Sequence, residues 1–334
     1  QMESKIGVKI LGTGSYFPKK IITNFDLEKI VDTSDEWIKK RTGIKERRMS
    51  EKNEPTSDLA FKASVEALKA ANISPEQIDA ILVATVTPDM LFPSTACFLQ
   101  AKLNIPSVPA FDLLASCSGF IYGISVAKAF IESGIYKKIL LIGADELTKI
   151  TDWSDRNTCV LFGDGAGAMI LSASYNCNDI LSVFLGADGS YSNFLFLPAG
   201  GTSNPATIDT VVKKLHTVKM DGKEVFKIAV QKMIFAAEKA LKFSKKNIDD
   251  IDLLIPHQAN IRIIELVAKK IGISMDKVFI NIHKTGNISS ATIVTALDEA
   301  IKTGKLKNDD IVELVAFGGG FTWGAAVIKI SNIL

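Results

Sequence analysis

Residues 67–83 read ALKAANISPEQIDAILV, and this stretch decides the fold because its pattern recurs at residues 240–256, which read ALKFSKKNIDDIDLLIP. Asp79 follows Leu68 at the same spacing at which Asp252 follows Leu241, and each Asp leads into a short apolar run. An amphipathic segment followed by such a run is typical of a helix that leads into a buried strand. The recurrence indicates that one helix–strand unit occurs twice in the chain.

A second correspondence lies further along the chain. Cys117 precedes an apolar segment that ends at Gly134, and Asn287 precedes one that ends at Gly304 at the same spacing. The separation along the chain between Cys117 and Asn287 is nearly the same as the separation between the two copies of the first pattern. Chance is the alternative, because any α/β chain repeats such lengths. We favour a duplicated unit, with halves at residues 1–175 and 176–334 and with Cys117 and Asn287 at matching strand-to-helix corners.

Apolar runs of strand length alternate with amphipathic helical patterns along the chain, which predicts an α/β fold with largely parallel sheets. The predicted strands are residues 80–85, 139–142, 253–255 and 311–317. The predicted helices are residues 57–71, 119–133, 225–243, 260–271 and 289–303.

Composition excludes several classes of protein. Of the 334 residues, 47% are hydrophobic and 23% are charged, which is typical of a chain with a buried core and not of disordered, collagen-like or coiled-coil chains. The formal charge of +2 disfavours a nucleic-acid-binding surface but leaves room for a local basic patch. No apolar run reaches the ~18 residues of a membrane helix, and no signal peptide is evident, so we expect a soluble, cytoplasmic protein.

The cysteines Cys97, Cys117, Cys159 and Cys177 show no CxxC or Cys/His spacing, so we expect neither a zinc site nor a disulfide framework. Cys117 differs from the others because small residues precede it and an apolar helix follows it. A thiol at or near a helix N-terminus has a lowered pKa and suits a covalent nucleophile. A buried structural cysteine is the alternative on local evidence.

Two further polar residues lie at the ends of predicted elements. His257 ends a strand and precedes a helix, and in open α/β sheets ligands gather at the carboxyl ends of strands. A half-buried core histidine is the alternative. Asn287 matches a helix N-cap, and capping alone would explain it, but its repeat position opposite Cys117 favours a role in a site. His216 lies in a polar stretch typical of a surface, and His283 is ambiguous.

The glycine-rich segments match no nucleotide-binding motif. Phe17 stands where a dinucleotide fingerprint beginning at Gly12 has its third glycine, and no GxxxxGK[ST] loop occurs. The glycines at 318–320 permit close backbone approach and offer an N–H to an oxyanion, with a tight turn as the alternative.

Once Cys117, His257 and Asn287 are assembled, the sequence strongly resembles the β-ketoacyl-[acyl-carrier-protein] synthase III family, the thiolase-fold condensing enzymes of fatty-acid synthesis. The resemblance covers nearly the whole chain and implies an α/β, thiolase-like fold with duplicated βα units in a five-layer αβαβα arrangement. It rests on motifs in the family's order: GTGSYFP at 12–18, VDTSDEWI at 31–38, RTGI at 41–44, SCSGFIYG at 116–123, PHQAN at 256–260, GNIS at 286–289 and FGGGFTWG at 317–324.

The resemblance implies an acyltransferase that condenses an acyl-CoA primer, with acetyl-CoA favoured, with malonyl-[acyl-carrier-protein]. Cys117 resembles the nucleophile that takes the acyl group, and His257 and Asn287 resemble the pair that assists decarboxylation. Two neutral donors suit that step because the thioester oxygen gains negative charge. The N–H groups of Cys117 and Gly319 match the family's oxyanion hole. The resemblance implies no metal and no resident cofactor, since the coenzyme A thioester is a substrate.

Other residues match the family's binding positions. Trp37 resembles the residue that packs on the coenzyme's adenine, Arg156 the residue on its other face, and Arg41 a phosphate contact. Phe92 resembles the side chain that crosses a homodimer interface and forms the floor of the partner's acyl pocket. Phe317 is also assigned to the acyl pocket. Further coenzyme-channel positions are Thr33, Gly222, Phe226 and Asn260.

A basic surface is implied where the acidic carrier protein would dock. Arg262 and Lys269 are two turns apart and therefore share one face of a predicted helix, with Lys270 beside them and Lys227 on a neighbouring helix. A solvated charged face is the alternative.

The sequence departs from the family's common pattern at three places. Ile288 follows Asn287 where Thr is common and is expected to alter the packing there, Lys284-Thr285 replaces an aromatic lead-in, and Ser116 replaces a common Ala. The bulk of residues 90–92 leaves primer length open. The alternatives to the synthase are a thiolase-fold acyltransferase of secondary metabolism, a differently primed synthase, a Cys-His-Asn hydrolase and a noncatalytic acyl-CoA-binding relative, which would not need all three residues.

Overall fold

The computed structural model describes residues 6–331. The strands are β1 (Gly7–Tyr16), β2 (Lys20–Thr23), β3 (Glu46–Met49), β4 (Ala80–Ala84), β5 (Ala110–Leu113), β6 (Lys138–Glu146), β7 (Asp164–Ser174), β8 (Ile180–Ala187), β9 (Leu195–Phe196), β10 (Lys219–Met220), β11 (Leu253–Pro256), β12 (Ile311–Gly318) and β13 (Thr322–Lys329). The α-helices are α1 (Asn24–Glu28), α2 (Asp35–Thr42), α3 (Thr56–Ala71), α4 (Thr95–Lys102), α5 (Gly119–Glu132), α6 (Ile208–Val212), α7 (Gly222–Ser244), α8 (Ile261–Ile271), α9 (Ile282–Thr285) and α10 (Ala291–Lys302). Within the described residues, no helix is both long and apolar enough to cross a membrane.

Two large sheets share one strand order. The first runs β1-β7-β6-β4-β5 and the second runs β8-β13-β12-β11, with Val278 bridging Leu254 of β11 at the position of a fifth strand. The prediction of largely parallel sheets is wrong, because β1, β7, β8 and β13 run antiparallel to their neighbours. Only residues 319–321 join β12 to β13, and a link this short allows a hairpin but no crossover.

The duplication extends to the helix ends. Helices α3 and α7 both end in a left-handed residue, Asn72 (φ 52°) and Lys245 (φ 57°), at matching positions of the two copies. Each is followed by a 3-10 turn, Pro75–Gln77 or Ile248–Asp250, that begins with a capping box. The two copies of the opening pattern therefore fold alike in their backbone detail.

Alternation along the central strands builds five layers. Ala80 and Leu82 of β4 face the core between the sheets, whereas Ile81 and Val83 face the outer helices α3 and α4. The second sheet packs α7 and α8 outside, and α5 and α10 lie between the sheets. Strands buried on both faces are apolar throughout, which explains why they were visible as continuous apolar runs. The αβαβα arrangement is confirmed.

The core between the sheets belongs to both halves of the chain. It contains Ile124 of α5 and Val294 of α10 together with inward-facing residues of both sheets. The predicted division near residue 175 falls between β7 and β8, and it stays a prediction as a domain boundary.

Candidate active site

Cys117 lies in a sharp turn between the first sheet and the central helices. The turn is a 3-10 segment, Ser116–Ser118, that directly precedes α5. Ser116 has φ 48°, in the left-handed region that few non-glycine residues adopt. The end of β12 approaches so closely that a Cβ on Gly318 would lie 2.5 Å from the backbone N of Cys117. The close backbone approach predicted for the glycine run is confirmed.

Asn287 lies in the loop before α10, and its backbone is bonded on both sides. Its N–H donates to the carbonyl of Leu161 (2.8 Å), and its carbonyl accepts the N–H of Gly163 (3.0 Å). The side-chain Oδ1 accepts the N–H of Ser289 at 2.8 Å. Because an amide oxygen is the acceptor that a backbone N–H requires, the Nδ2 group of Asn287 is left to donate hydrogen bonds.

The correspondence between the repeats differs from the prediction. Ser290 is the cap residue of α10, so the prediction that Asn287 caps this helix is wrong: its side chain bonds the turn itself. Ser289, like Ser116, has a left-handed backbone, with φ 54°. The separation between Ser116 and Ser289 equals the separation between the two copies of the helix–strand unit. Ser290 therefore corresponds to Cys117, and Asn287 corresponds to Leu114, in the loop that follows β5 of the first copy.

His257 follows β11 directly and is 3% exposed. Its N–H donates to the carbonyl of Val315 at 2.7 Å, and its Nδ1 lies 2.6 Å from the hydroxyl oxygen of Thr292 on α10. Burial lowers the pKa of His257 to about 3. The ring is therefore neutral near pH 7 and serves as a hydrogen-bond donor or acceptor, not as a cation.

The expectation that the pKa of Cys117 is lowered is wrong in this structure. Burial raises the pKa of the thiol to about 12, and the negative charge of Asp145 acts in the same direction, while the Ser289 hydroxyl opposes them. Desolvation of the charged form outweighs the favourable end of α5. The residue is a neutral thiol near pH 7, and its proton has to leave as a bond to sulfur forms.

Asp145 is a buried residue that the sequence analysis missed. Its Oδ1 accepts the hydroxyls of Thr85 (2.9 Å) and Thr87 (3.0 Å) and the N–H of Val86 (2.7 Å). Its Oδ2 accepts the hydroxyl (2.8 Å) and the N–H (3.2 Å) of Ser290. The carboxylate thus joins the end of β4 to the loop before α10, across the two halves. A polar residue directly after the apolar run of β6 was the available signal.

One cavity of about 1250 Å³ brings the three predicted catalytic residues together. Cys117, His257 and Asn287 all line it, as does Gly319 of the predicted oxyanion hole. Across the described residues, no three His, Cys, Asp or Glu side chains cluster as metal ligands. Of the other predicted residues, the cavity is lined by Trp37, Arg41, Gly222, Phe226, Asn260, Arg262 and Phe317.

Comparisons with known proteins agree with this site. The family model described as 3-oxoacyl-[acyl-carrier-protein (ACP)] synthase III matches residues 111–189, and the model for the C-terminal part of that synthase matches residues 241–330. The β-ketoacyl-[acyl-carrier-protein] synthase III of Caldanaerobacter subterraneus subsp. tengcongensis is 55% identical over 99% of this chain and 100% of its own length. The chain belongs to the 3-oxoacyl-[acyl-carrier-protein] synthase III family. It is an acyltransferase-type condensing enzyme.

Solved structures show the fold that this synthase III chain shares. The 3-oxoacyl-[acyl-carrier-protein] synthase III of Aquifex aeolicus VF5 superimposes with a TM-score of 0.89 at 48% identity, covering 97% of this chain and 100% of that one. The priming β-ketosynthase of the R1128 polyketide pathway superimposes with a TM-score of 0.92 at 30% identity, covering 100% and 99%. The predicted thiolase-like fold is confirmed.

The adenine-binding residues predicted for this synthase III chain lie together. The guanidinium carbons of Arg41 and Arg156 lie 5.0 and 4.8 Å from the ring centroid of Trp37, in cation–π contact. Arg156 also donates to the carbonyl of Asp32 at 2.8 Å. No aromatic ring fits between Arg156 and Trp37 at this distance, so the predicted arrangement requires Arg156 to move. Thr33 and Arg156 do not line the cavity.

A small apolar cluster that lines the same cavity as Cys117 was also missed. Leu147, Phe162 and Val218 form its buried part and line the cavity. They come from three separated segments, which no local pattern relates. Phe92, by contrast, does not line the cavity of its own chain and is 83% exposed. Ile288 is fully buried against Gly165 and does not line the cavity.

The four predicted docking residues share a lack of acidic partners. Lys227, Arg262, Lys269 and Lys270 are exposed, and none forms an ion pair with any described residue. The Arg262 guanidinium lies 5.4 Å over the ring of Phe226, at the cavity lining. Lys269 and Lys270 lie in the last turn of α8.

Proposed function

We propose that the chain catalyses the decarboxylative Claisen condensation of an acyl-CoA primer, with acetyl-CoA favoured, with malonyl-[acyl-carrier-protein]. The product is a 3-oxoacyl-[acyl-carrier-protein], which initiates fatty-acid synthesis. The observation that carries the proposal is a single cavity that joins the Cys117 thiol to two neutral hydrogen-bonding groups, His257 and Asn287. The proposed steps need no resident cofactor. The cytoplasmic location stays a prediction.

The first proposed step transfers the acyl group to Cys117. The sulfur attacks the thioester carbonyl of acyl-CoA, and the tetrahedral oxyanion is stabilised by the N–H groups of Cys117 and Gly319. The C–S bond to the coenzyme then breaks, and the coenzyme sulfur takes the proton that Cys117 loses. Because the thiol pKa is raised, this proton moves as the new bond forms and not before.

The second proposed step is decarboxylation. Carbon dioxide leaves the malonyl thioester, and negative charge develops on the thioester oxygen, where the His257 ring and the Asn287 amide donate hydrogen bonds. The enolate carbon attacks the carbonyl of acyl-Cys117. A carbon–carbon bond forms, the bond between the acyl carbonyl carbon and the Cys117 sulfur breaks, and the thiolate that leaves takes a proton from solvent.

Two alternatives stay open within the fold, a differently primed synthase and an acyltransferase of secondary metabolism. The second is favoured by one observation, the 30% identity to a priming β-ketosynthase of a polyketide pathway. A Cys-His-Asn hydrolase is disfavoured, because His257 Nδ1 bonds Thr292 and a raised thiol pKa does not suit an ion-paired nucleophile.

An acyl-CoA panel tests the proposal. Incubation with acetyl-, butyryl-, isobutyryl- and hexanoyl-CoA is expected to raise the intact mass of the protein by one acyl group, most readily from acetyl-CoA. Cys117→Ser is expected to lose this adduct, and Cys97→Ser, which alters an exposed thiol, is the matched control that keeps it. An undiminished adduct on Cys117→Ser contradicts the proposal, and a stronger adduct from a longer or branched acyl group identifies a different primer.

We propose that the carrier protein docks on the basic face of Lys227, Arg262, Lys269 and Lys270, because these exposed cations have no acidic partner among residues 6–331 and because Arg262, on the helix that also carries Lys269 and Lys270, lines the cavity. Lys269→Glu is expected to raise the KM for malonyl carrier protein on the order of tenfold at low salt, since like charges repel at a docking rim. Its acylation by acyl-CoA should be unchanged. Lys307→Glu is the control, because Lys307 precedes β12 and so lies at the end of this strand that is remote from Cys117. Equal KM values for the two variants would argue against this face.

We further propose a homodimer in which Phe92 floors the partner's acyl pocket. Leu91 and Phe92 are each 83% exposed, and Leu114 is 78% exposed although it also lines the cavity. Leu114 directly follows β5, an edge strand with pairing groups unused on one side. An apolar surface that reaches the cavity and adjoins a sheet edge suits a second copy of the chain. A monomer in sedimentation experiments at micromolar concentration would contradict this.

A further inference from the structure

We propose that Thr292 is a positioning residue: its hydroxyl donates to Nδ1 of His257 and thereby keeps the ring in the tautomer whose Nε2–H points into the cavity. The chemical consequence rests on the proposed condensation, whereas the tautomer itself does not. The contact that carries the inference joins the Thr292 hydroxyl to His257 Nδ1 at 2.6 Å.

The direction of this hydrogen bond follows from what else the two groups can bond. Thr292 is 1% exposed, and its hydroxyl has no other partner within residues 6–331. If the ring donated from Nδ1, the hydroxyl hydrogen would be buried without an acceptor, which is costly. If the hydroxyl donates, its hydrogen is satisfied and the ring proton resides on Nε2. The second arrangement leaves no donor of this pair buried and unpaired.

A neighbouring threonine shows that this contact is specific. Thr295 lies on the same helix, is equally buried, and donates its hydroxyl back to the carbonyl of Ala291 at 2.8 Å. Such back-bonding is the ordinary behaviour of a helical threonine. Thr292 instead reaches across to the residue that follows β11, so its hydroxyl is committed to the site.

The tautomer determines what the ring does to the substrate. A proton on Nε2 makes the ring a donor to the thioester oxygen, where negative charge develops during decarboxylation. The other tautomer would present a lone pair to the same oxygen and repel that charge. Thr292 therefore acts on the second half-reaction through His257, without touching substrate.

The test is the ¹⁵N spectrum of the protein labelled at histidine. The chain has only three histidines, so His216→Gln and His283→Gln variants assign the signals. In the wild type we expect the His257 Nδ1 signal at the position of an unprotonated ring nitrogen and the Nε2 signal at that of a protonated one. The opposite pattern overturns the proposal whether or not the enzyme condenses acyl groups.

Three variants separate positioning from folding. Thr292→Val removes the hydroxyl at nearly constant shape and is expected to give a tautomer mixture and a condensation kcat at least tenfold lower, with Cys117 acylation unchanged. Thr292→Ser restores both properties, and Thr295→Val alters neither. Retention of the Nε2–H tautomer and full condensation by a folded Thr292→Val overturns the proposal. If that variant does not fold, the wild-type and Thr292→Ser spectra still decide. If the wild type shows the expected tautomer but forms no acyl adduct, the result counts against the proposed function and not against the role of Thr292.

Discussion

His257→Ala and Asn287→Ala are each expected to leave acylation of Cys117 nearly unchanged and to lower the rate of decarboxylative condensation by about 10²–10³-fold. Both residues line the cavity beside Cys117, yet their described hydrogen bonds go to Thr292 and to Ser289 and not to the thiol. The acyl-transfer oxyanion is assigned to backbone N–H groups that both variants keep. Only the enolate of the second step loses a donor.

The pKa of His257 sharpens this expectation. Burial lowers it to about 3, so the ring stays neutral across the ordinary assay range. The condensation rate should therefore show no acid limb near pH 6.5, the ordinary pKa of histidine. A limb near that value that disappears in His257→Gln would contradict a neutral donor and point to a cationic ring.

The measurement separates the half-reactions. Intact mass after mixing with acetyl-CoA follows acylation, and release of carbon dioxide from malonyl carrier protein follows decarboxylation. His283→Ala is the matched control, because this exposed histidine does not line the cavity. Asn287→Asp, which replaces a donor amide by an acceptor carboxylate, should slow decarboxylation at least as strongly as Asn287→Ala. Equal losses in both half-reactions would show that the roles are wrongly assigned.

The fold was predictable where one periodicity dominated. The helix predicted at 119–133 is Gly119–Glu132, and the strand predicted at 311–317 is Ile311–Gly318. Strands buried on both faces have few other patterns open to them. The antiparallel strands β7 and β13 were missed because their alanines and glycines carry no clear strand period.

The site was only partly predictable, because its remaining members are defined by three-dimensional contacts. Asp145 and Thr292 become recognisable through the partners that the fold brings to them, Ser290 and His257, which are distant in the chain. The prediction of a lowered pKa for the Cys117 thiol was wrong for a related reason. A helix start is visible in sequence, whereas the burial that outweighs it is a property of the assembled layers.

Ionisation of a single carboxyl group, Glu313, is expected to lower the stability of the wild-type protein, relative to a variant that lacks this carboxyl, by on the order of 3–5 kcal/mol as pH rises from about 4.5 to about 8. This residue lies within β12, is 0% exposed, and neither of its oxygens has a hydrogen-bond partner among the described residues. Alternation places it on the face of the sheet that packs against α7 and α8, an apolar cluster. Burial there raises its pKa to about 8.

The sign follows from proton binding. Between pH 4.5 and 8 the unfolded chain has released the Glu313 proton and the folded chain still holds it, so the contribution of Glu313 to stability falls as pH rises through this window and levels off above it. Glu313→Gln removes the titration at similar shape. Denaturant unfolding at pH 5, 7 and 9 should give a difference between Glu313→Gln and wild type that grows with pH in favour of the variant.

Only the difference between two proteins isolates Glu313, because other buried groups titrate as well. The pKa values of Asp164 and Asp179 are raised by burial, and that of His257 is lowered, but all three contribute equally to wild type and variant. Additivity of this kind holds for groups that share no contacts. Glu238→Gln, at an exposed position of α7, should follow the wild-type curve throughout. Parallel curves for wild type and Glu313→Gln would mean that the buried carboxyl ionises as readily in the folded chain as in the unfolded one.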